Sequence, residues 1–130
     1  MGTTQGASLD ASKYGSDSAT SRSRTEAMLG TVDFMAPELA IDAEWDHRAD
    51  IYSLGATIYF LLVGSPPFPE GTLAQKLLKH QMEQPPSILN YRSDVPEELR
   101  ELVETMLEKE PGDRPQSVAE VLDTLTRLQK

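Results

Sequence analysis

Apolar side chains recur along this chain at the spacing of α-helices, and they predict four helical segments. Residues 49–63 are apolar on every side rather than along one stripe, which predicts a helix that is buried on all faces. Residues 72–82, residues 96–109 and the segment that begins at residue 117 each carry one apolar face. No run alternates with a period of two for long enough to predict a strand. The pattern therefore predicts an all-α fold.

Two of the amphipathic segments make specific predictions about burial. In residues 72–82 the apolar stripe that should face the core consists of Leu73, Leu77 and Leu78. The opposite, polar side of that segment carries Lys76, Lys79 and His80. In the last segment Ser117 and Glu120 have the spacing of a capping box, in which each side chain satisfies a free backbone N–H group. The apolar face of this last helix, which should be buried, consists of Val118, Val121, Leu122, Leu125 and Leu128.

The first 29 residues differ in composition from the rest of the chain. They hold six serines and four threonines, few large apolar side chains and no net charge. Ordering a backbone costs about 1–2 kcal/mol per residue, and so few apolar side chains cannot offset that cost. We therefore expect residues 1–29 to be disordered and residues 30–130 to form one folded domain.

Composition narrows the possible functions. The chain has 12 Lys and Arg against 21 Asp and Glu, a net charge of −9, which disfavours nucleic acid as a partner. It has no cysteine, and two histidines are too few for most imidazole metal sites, so we expect no metal site. The apolar run 54–63 is shorter than the roughly 20 residues of a membrane span. No basic stretch followed by an apolar one opens the sequence, so a cytoplasmic protein is expected.

Four short motifs resemble, in order, the C-terminal part of a Ser/Thr protein kinase domain of the eukaryotic-like (Hanks) type found in bacteria. They are GTVDFMAPE at 30–38, DIYSLG at 50–55, GSPPF at 64–68 and PGDRP at 111–115. These motifs are similar to the end of the family's activation segment, the opening of its central helix, the turn after that helix and the loop before the final helix. The resemblance implies the helical C-terminal lobe of the protein-kinase-like fold, preceded by a disordered segment that is a remnant of the activation segment.

Three charged residues acquire structural roles from this resemblance. Glu38 and Arg114 correspond to a buried ion pair, although from the sequence alone two solvated surface charges would be the more common outcome. Asp50 corresponds to the carboxylate that holds the backbone of the family's catalytic loop. Because Asp50 begins an otherwise apolar helix, its carboxylate would need hydrogen-bond donors or would become neutral.

The resemblance also implies substrate contacts and phosphorylation sites near the start of the folded part. Leu29, Gly30 and Thr31 correspond to the part that binds the protein substrate. Thr31 corresponds to the threonine that helps select a hydroxyl group, although a threonine within a loop could equally be a plain turn residue. Thr25 and Ser23 lie among arginines where such kinases are phosphorylated, and a phosphate there could order the loop against arginine side chains. A disordered Ser/Thr-rich tail without modification is an equally good interpretation of these two positions.

The chemical machinery of the family is not found in these 130 residues. The glycine-rich phosphate loop, the strand lysine, the catalytic aspartate and the magnesium-binding aspartate have no counterpart in the sequence. The HRAD at 47–50 and the DFM at 33–35 look like the catalytic and magnesium motifs, but they stand at the wrong places relative to Ala-Pro-Glu. We therefore expect no catalytic residue, cofactor site or metal site here, whereas a complete kinase uses ATP and magnesium.

Three hypotheses about function follow. The first is a partial Ser/Thr protein kinase domain that keeps the substrate-binding and structural part and is inactive alone. The complete family transfers the γ-phosphate of ATP to Ser/Thr of proteins. The second is a non-catalytic docking or regulatory module that binds protein substrates or a partner kinase through 30–38 and 72–82. The third is one half of a split kinase. Because part of what covers 49–63 in the family is not encoded here, an exposed apolar patch, marginal stability and self-association are also expected.

Overall fold

The computed structural model describes residues 32–40 and 44–129, and their regular structure is entirely helical. Among the described residues the α-helices are α1 (Pro37–Ala40), α2 (Arg48–Val63), α3 (Leu73–Met82), α4 (Glu97–Met106) and α5 (Val118–Leu128). Two 3₁₀ helices lie at Ile88–Asn90 and Pro111–Asp113. The all-α prediction is confirmed for the described residues, which belong to one compact unit. None of the helices described is long and apolar enough to cross a membrane.

The central helix α2 packs mainly against α4, which in turn packs against α5. The buried side of α2 consists of Ala49, Ile51, Tyr52, Gly55, Ala56 and Tyr59. Gly55 allows the close contact with α4, because a Cβ atom at this position would lie 2.7 Å from the Cβ of Met106. At its end α2 turns on Gly64, whose φ of 94° favours glycine and whose N–H donates to the carbonyl of Phe60.

The prediction that α2 is buried on all faces is wrong for this chain. Leu54, Phe60 and Leu61 are exposed, and Leu61 keeps 72% of its surface accessible. Leu54 and Leu61 are seven residues apart and therefore lie on the same side of the helix, two turns from each other. No other described element covers that side, so α2 shows an uncovered apolar strip.

The predicted burial of α3 is also wrong. Its buried side chains are Lys76 and His80, whereas Leu78 is exposed and Leu73 and Leu77 are only half-buried. The physical reason is that Lys76 and His80 find polar partners inside the protein, described below, and the apolar pattern carries no information about such partners. The start of α3 has a complete capping box between Thr72 and Gln75, which was not predicted from the sequence.

The last helix, α5, buries a narrower face than predicted. Val121 is buried and Leu125 and Leu128 are half-buried, but Val118 and Leu122 are exposed because α5 packs chiefly on a single neighbour, α4.

The predicted capping box at α5 is only half formed. Ser117 accepts from the N–H of Glu120, whereas the carboxylate of Glu120 accepts from the N–H of Gln116 instead of that of Ser117.

Candidate functional site

Residues 32–38, which we call the anchored loop, are tied to the helices by side-chain hydrogen bonds. Ser53 of α2 donates its hydroxyl to the carbonyl of Phe34 at 2.6 Å. Lys76 of α3 donates from Nζ to Oδ1 of Asp33 at 2.8 Å, and both side chains of this ion pair are largely buried. Two neighbouring residues of the loop are thus fixed to two different helices.

A bidentate ion pair fixes the other end of the anchored loop. Arg114 donates from Nη1 to Oε2 and from Nη2 to Oε1 of Glu38, both at 2.8 Å. The side chain of Arg114 is 0% exposed and that of Glu38 is 7% exposed. The structure therefore brings together the two residues for which the family resemblance implies a buried ion pair.

Arg114 makes further contacts that join several segments. Its Nε donates to the carbonyl of Glu108 at 2.8 Å, and its Nη atoms donate to the carbonyls of Arg48 at 2.8 Å and Lys109 at 3.1 Å. Its guanidinium carbon lies 5.0 Å from the centre of the Tyr52 ring. The carbonyls of Glu108 and Lys109 are free to accept because α4 ends at Met106, before both residues. Lysine could not replace this planar set of donors.

Glu38 stays ionised despite its burial. Burial alone raises the pKa of a carboxyl group, but the hydrogen bonds and positive charge of Arg114 outweigh burial and hold the pKa of Glu38 below its usual range. The carboxylate is consequently a charged acceptor at neutral pH, which strengthens both hydrogen bonds of the pair.

A buried histidine is linked to the ion pair through Tyr52. His80 of α3 shares a 2.7 Å hydrogen bond between its Nδ1 and Oη of Tyr52, and its ring meets the ring of Phe68 edge to face at 5.0 Å. Burial, together with the positive charges of Lys109 and Lys76, lowers the pKa of His80 to about 4. The imidazole is therefore neutral at pH 7 and acts as a structural hydrogen-bond partner. No sequence pattern indicated this contact.

The other predicted structural residue, Asp50, is exposed in the first turn of α2. Because its carboxylate is exposed, it needs no buried hydrogen-bond donor, and a carboxylate at this end of a helix is favourable. Its role in holding a catalytic loop stays a prediction.

The remaining predicted site residues lie outside the described part of the chain. These are the substrate-binding residues Leu29, Gly30 and Thr31 and the phosphorylation candidates Thr25 and Ser23, so all five stay predictions.

The two motifs that look catalytic have other partners. Asp33 pairs with Lys76, and His47 hydrogen-bonds through Nε2 to the carbonyl of Gln116 at 2.7 Å. Within residues 32–40 and 44–129, no group of three or more His, Asp or Glu residues could hold a metal ion.

Comparison with known proteins agrees with the class that this fold and ion pair define, a helical kinase lobe. The family model described as "Protein kinase domain" matches residues 10–125, and the chain therefore belongs to the protein kinase family.

Its relatives include two serine/threonine-protein kinases and an Aurora kinase. Serine/threonine-protein kinase PknB of Mycolicibacterium smegmatis is 35% identical over 112 residues, which cover 86% of this chain and 18% of the relative. An Aurora kinase of Eremothecium gossypii is 37% identical over 95 residues, 71% of this chain and 24% of the relative. Serine/threonine-protein kinase Pkn1 of Myxococcus xanthus is 38% identical over 92 residues, 71% of this chain and 13% of the relative. The chain thus spans less than a quarter of each relative and corresponds to part of a kinase domain.

Proposed function

We propose that this chain is the substrate-binding and structural part of a Ser/Thr protein kinase of the bacterial Hanks type. The complete kinase would transfer the γ-phosphate of ATP to Ser or Thr hydroxyl groups of proteins. The observation that carries the proposal is the anchored loop, which follows directly on Leu29, Gly30 and Thr31 and is held by the buried Glu38–Arg114 pair.

The geometry suits a positioning role. Phosphoryl transfer depends mainly on positioning and on charge stabilisation, so the surface that presents the hydroxyl group has to be rigid. Ties at Asp33, Phe34 and Glu38 connect the anchored loop to α3, α2 and the segment around Arg114. In the complete kinase, ATP would supply the phosphoryl group and magnesium would neutralise its charge. The residues described contribute the platform for the protein substrate.

A chimera with a complete relative tests this role. Residues 30–130 would replace the aligned part of PknB from Mycolicibacterium smegmatis, and transfer of labelled phosphate from ATP to a Ser/Thr-containing protein would be measured. We expect the chimera to transfer phosphate and the 130-residue chain alone to transfer none. A chimera carrying Glu38→Gln should lose most activity, because the anchored loop loses its charged tie.

The matched control is Asp94→Asn, which removes an exposed carboxylate from an arginine pair of similar geometry. This control should transfer phosphate at the rate of the parent chimera. A chimera that folds and binds ATP but transfers no phosphate would contradict the proposal. Transfer by the isolated chain would contradict the assignment of a purely positioning role.

The same proposal includes Thr25 and Ser23, to which it assigns the role of regulatory phosphorylation sites. Each phosphate would add a charge of about −1.5 to −2 next to Arg22 and Arg24. Mass spectrometry of the protein from its native host should detect modification of at least one of the two residues. Its complete absence under all growth conditions would remove this part of the proposal.

A second candidate is docking to protein substrates or to a partner kinase, either as a regulatory module or as half of a split kinase. The observation that favours it is the exposure of Leu78 and Met82, one turn apart on α3, beside the residue that ties down the anchored loop. Replacing both with serine should weaken binding of the chain to a complete relative kinase in a titration followed by light scattering. A reading frame immediately upstream that encodes an ATP lobe would favour the split kinase.

A further inference from the structure

A cleft of about 270 Å³ lies between α2, the segment 84–88 and the C-terminal part of α4. We call it the α4 cleft. Its apolar walls are formed by Tyr59, Pro85, Pro86, Ile88, Val103 and Leu107. Most small-molecule sites have volumes of about 300–1,000 Å³, so this cleft suits one or two side chains of a peptide better than a complete cofactor.

The rim of the α4 cleft is acidic. Two carboxylate side chains, Glu104 and Glu108, line it. Glu104 lies in the last turn of α4, where the helix dipole disfavours a carboxylate, and Glu108 lies two residues beyond the end of the helix. Glu104 is paired with Arg100 at 3.0 Å, whereas no Lys or Arg of the described residues lies within 4 Å of the Glu108 carboxylate. No basic side chain is found among the lining residues.

The wall opposite α4 is rigid and rich in acceptors. Pro85 and Pro86 have no N–H group, and the hydroxyl of Tyr59 donates to the carbonyl of Pro86 at 2.7 Å. Burial raises the pKa of Tyr59 to about 12, so this donor stays protonated under ordinary conditions. No hydrogen bond from a described residue reaches the carbonyl of Gln84 or Pro85. These two carbonyls therefore keep their capacity to accept a hydrogen bond from water or from a bound segment.

We propose that the α4 cleft binds a short extended segment of a partner protein, with one apolar side chain inserted between Tyr59 and Leu107 and an adjacent Lys or Arg at Glu104 and Glu108. The apolar walls select the first side chain, and the acidic rim selects the second. The net charge of −9 attracts basic partners at long range and repels anionic surfaces. The cleft shares no residue with the anchored loop, so this binding goes beyond the proposed positioning of the phosphorylated segment.

Binding would be measured on the 130-residue chain with four labelled eight-residue peptides in a glycine–serine background. The first carries a leucine flanked by two arginines; the others replace the leucine with alanine, the arginines with glutamine, or both. We expect the first peptide to bind most tightly. Losing the leucine should weaken binding by about tenfold or more, and losing the arginines by about tenfold, since each partly exposed ion pair contributes about threefold.

Two independent variants test the location. Glu104→Gln combined with Glu108→Gln should remove the preference for arginine and leave the binding of the glutamine peptide unchanged. Gln84→Trp should block the mouth of the cleft and weaken all leucine peptides, because Gln84 is exposed and lines the cleft. The charge-matched control combines Glu98→Gln with Glu101→Gln, two exposed residues of α4 that do not line the cleft, and should change affinity less than twofold.

Circular dichroism would verify that these surface variants fold, and methyl resonances of Val103 and Leu107 would report occupancy. Four peptides of equal affinity, or an equal effect of the control pair, would overturn the proposal in favour of general charge attraction. Shifts confined to α3, with the α4 cleft resonances unchanged, would overturn it in favour of the docking surface at Leu78 and Met82. Tighter binding of anionic vesicles than of the first peptide would also overturn it.

Discussion

Two arginine–carboxylate pairs in this protein have nearly the same geometry and very different surroundings. Arg114 binds Glu38 through two contacts of 2.8 Å, and Arg92 binds Asp94 through contacts of 2.8 and 2.6 Å. The side chains of the first pair are 0% and 7% exposed, and those of the second are 44% and 67% exposed. The residues of the first pair are 76 positions apart in the sequence, whereas those of the second pair are only 2 positions apart.

This contrast shows that hydrogen-bond geometry alone does not measure what an ion pair contributes. Even in the exposed pair the carboxyl group has a shifted pKa, because the hydrogen bond from Arg92 lowers the pKa of Asp94 to about 2. Water can nevertheless replace either partner there at little cost. Inside the protein each partner of the Glu38–Arg114 pair has lost its water, and Arg114 also holds three backbone carbonyls. Only the buried pair therefore connects distant parts of the fold.

Replacing Arg114 with alanine should have the largest effect on stability. The change leaves the carboxylate of Glu38 buried without a partner and three carbonyls without a donor, which typically costs about 3–5 kcal/mol. The free energy of unfolding from urea titration, followed by circular dichroism, would measure the loss. Arg92→Ala is the matched control and should leave the urea midpoint unchanged. Similar midpoints for the two variants would contradict the contrast between the pairs.

The pH dependence of stability should show that His80 belongs to the same buried region as the Glu38–Arg114 pair. His80 is hydrogen-bonded to Tyr52, whose ring contacts Arg114. The folded-state pKa of His80, about 4, lies below the ordinary value of 6.5, so the unfolded chain binds more protons between these values. Stability should therefore fall as the pH drops through this window, by about 2 kcal/mol from pH 7.5 to pH 5. Urea titrations at both pH values would measure the slope.

His80→Gln should remove most of this slope, because glutamine keeps a hydrogen-bonding group and does not titrate. His47→Gln, which changes the exposed histidine, should retain the slope of the parent chain. An equal slope in the parent and in His80→Gln would show that the interior around the ion pair is wetter than the structure indicates.

A methyl group at Gly55 should test the packing that keeps water from this interior. Gly55→Ala would place a Cβ 2.7 Å from the Cβ of Met106 and push α2 away from α4. Overpacking typically costs about 1–3 kcal/mol of stability, and the better helix propensity of alanine offsets part of that cost. We therefore expect the free energy of unfolding to fall by about 1–2 kcal/mol. Thermal unfolding would detect the change. Gly112→Ala, where a Cβ would meet nothing within 4 Å, should have little effect, and equal losses would contradict this account.

The contrast between the pairs also indicates what the sequence can predict. Glu38 and Arg114 could be paired only through the family motifs, because residues so far apart in sequence leave no local signal. The bounds of α2 followed from its apolar residues and from Gly64, since backbone preferences act locally. The half-formed capping box at Ser117 shows that even a local motif does not determine every partner, because Glu120 accepts from the N–H of Gln116 rather than that of Ser117.

Burial was harder to predict, because it depends on neighbours rather than on residue type. Lys76 and His80 are buried because Asp33 and Tyr52 accept or share their hydrogen bonds, which periodicity does not reveal. Leu54 and Leu61 are exposed because no described element covers their side of α2. The composition of a helix therefore predicts that it needs a partner, but not which side the partner covers.

The smallest effect is expected from salt acting on the exposed pair. A Debye length of about 3 Å at 1 M salt screens charges in water, but it leaves charges inside the protein largely unscreened. Arg92→Ala and Asp94→Asn should therefore have the same urea midpoint as the parent chain at 0.05 M and at 1 M sodium chloride. Glu38→Gln, in contrast, should lose as much stability at 1 M as at low salt. A Glu38→Gln deficit that disappears at high salt would mean that solvent reaches the Glu38–Arg114 pair, and the distinction between the two pairs would then be lost.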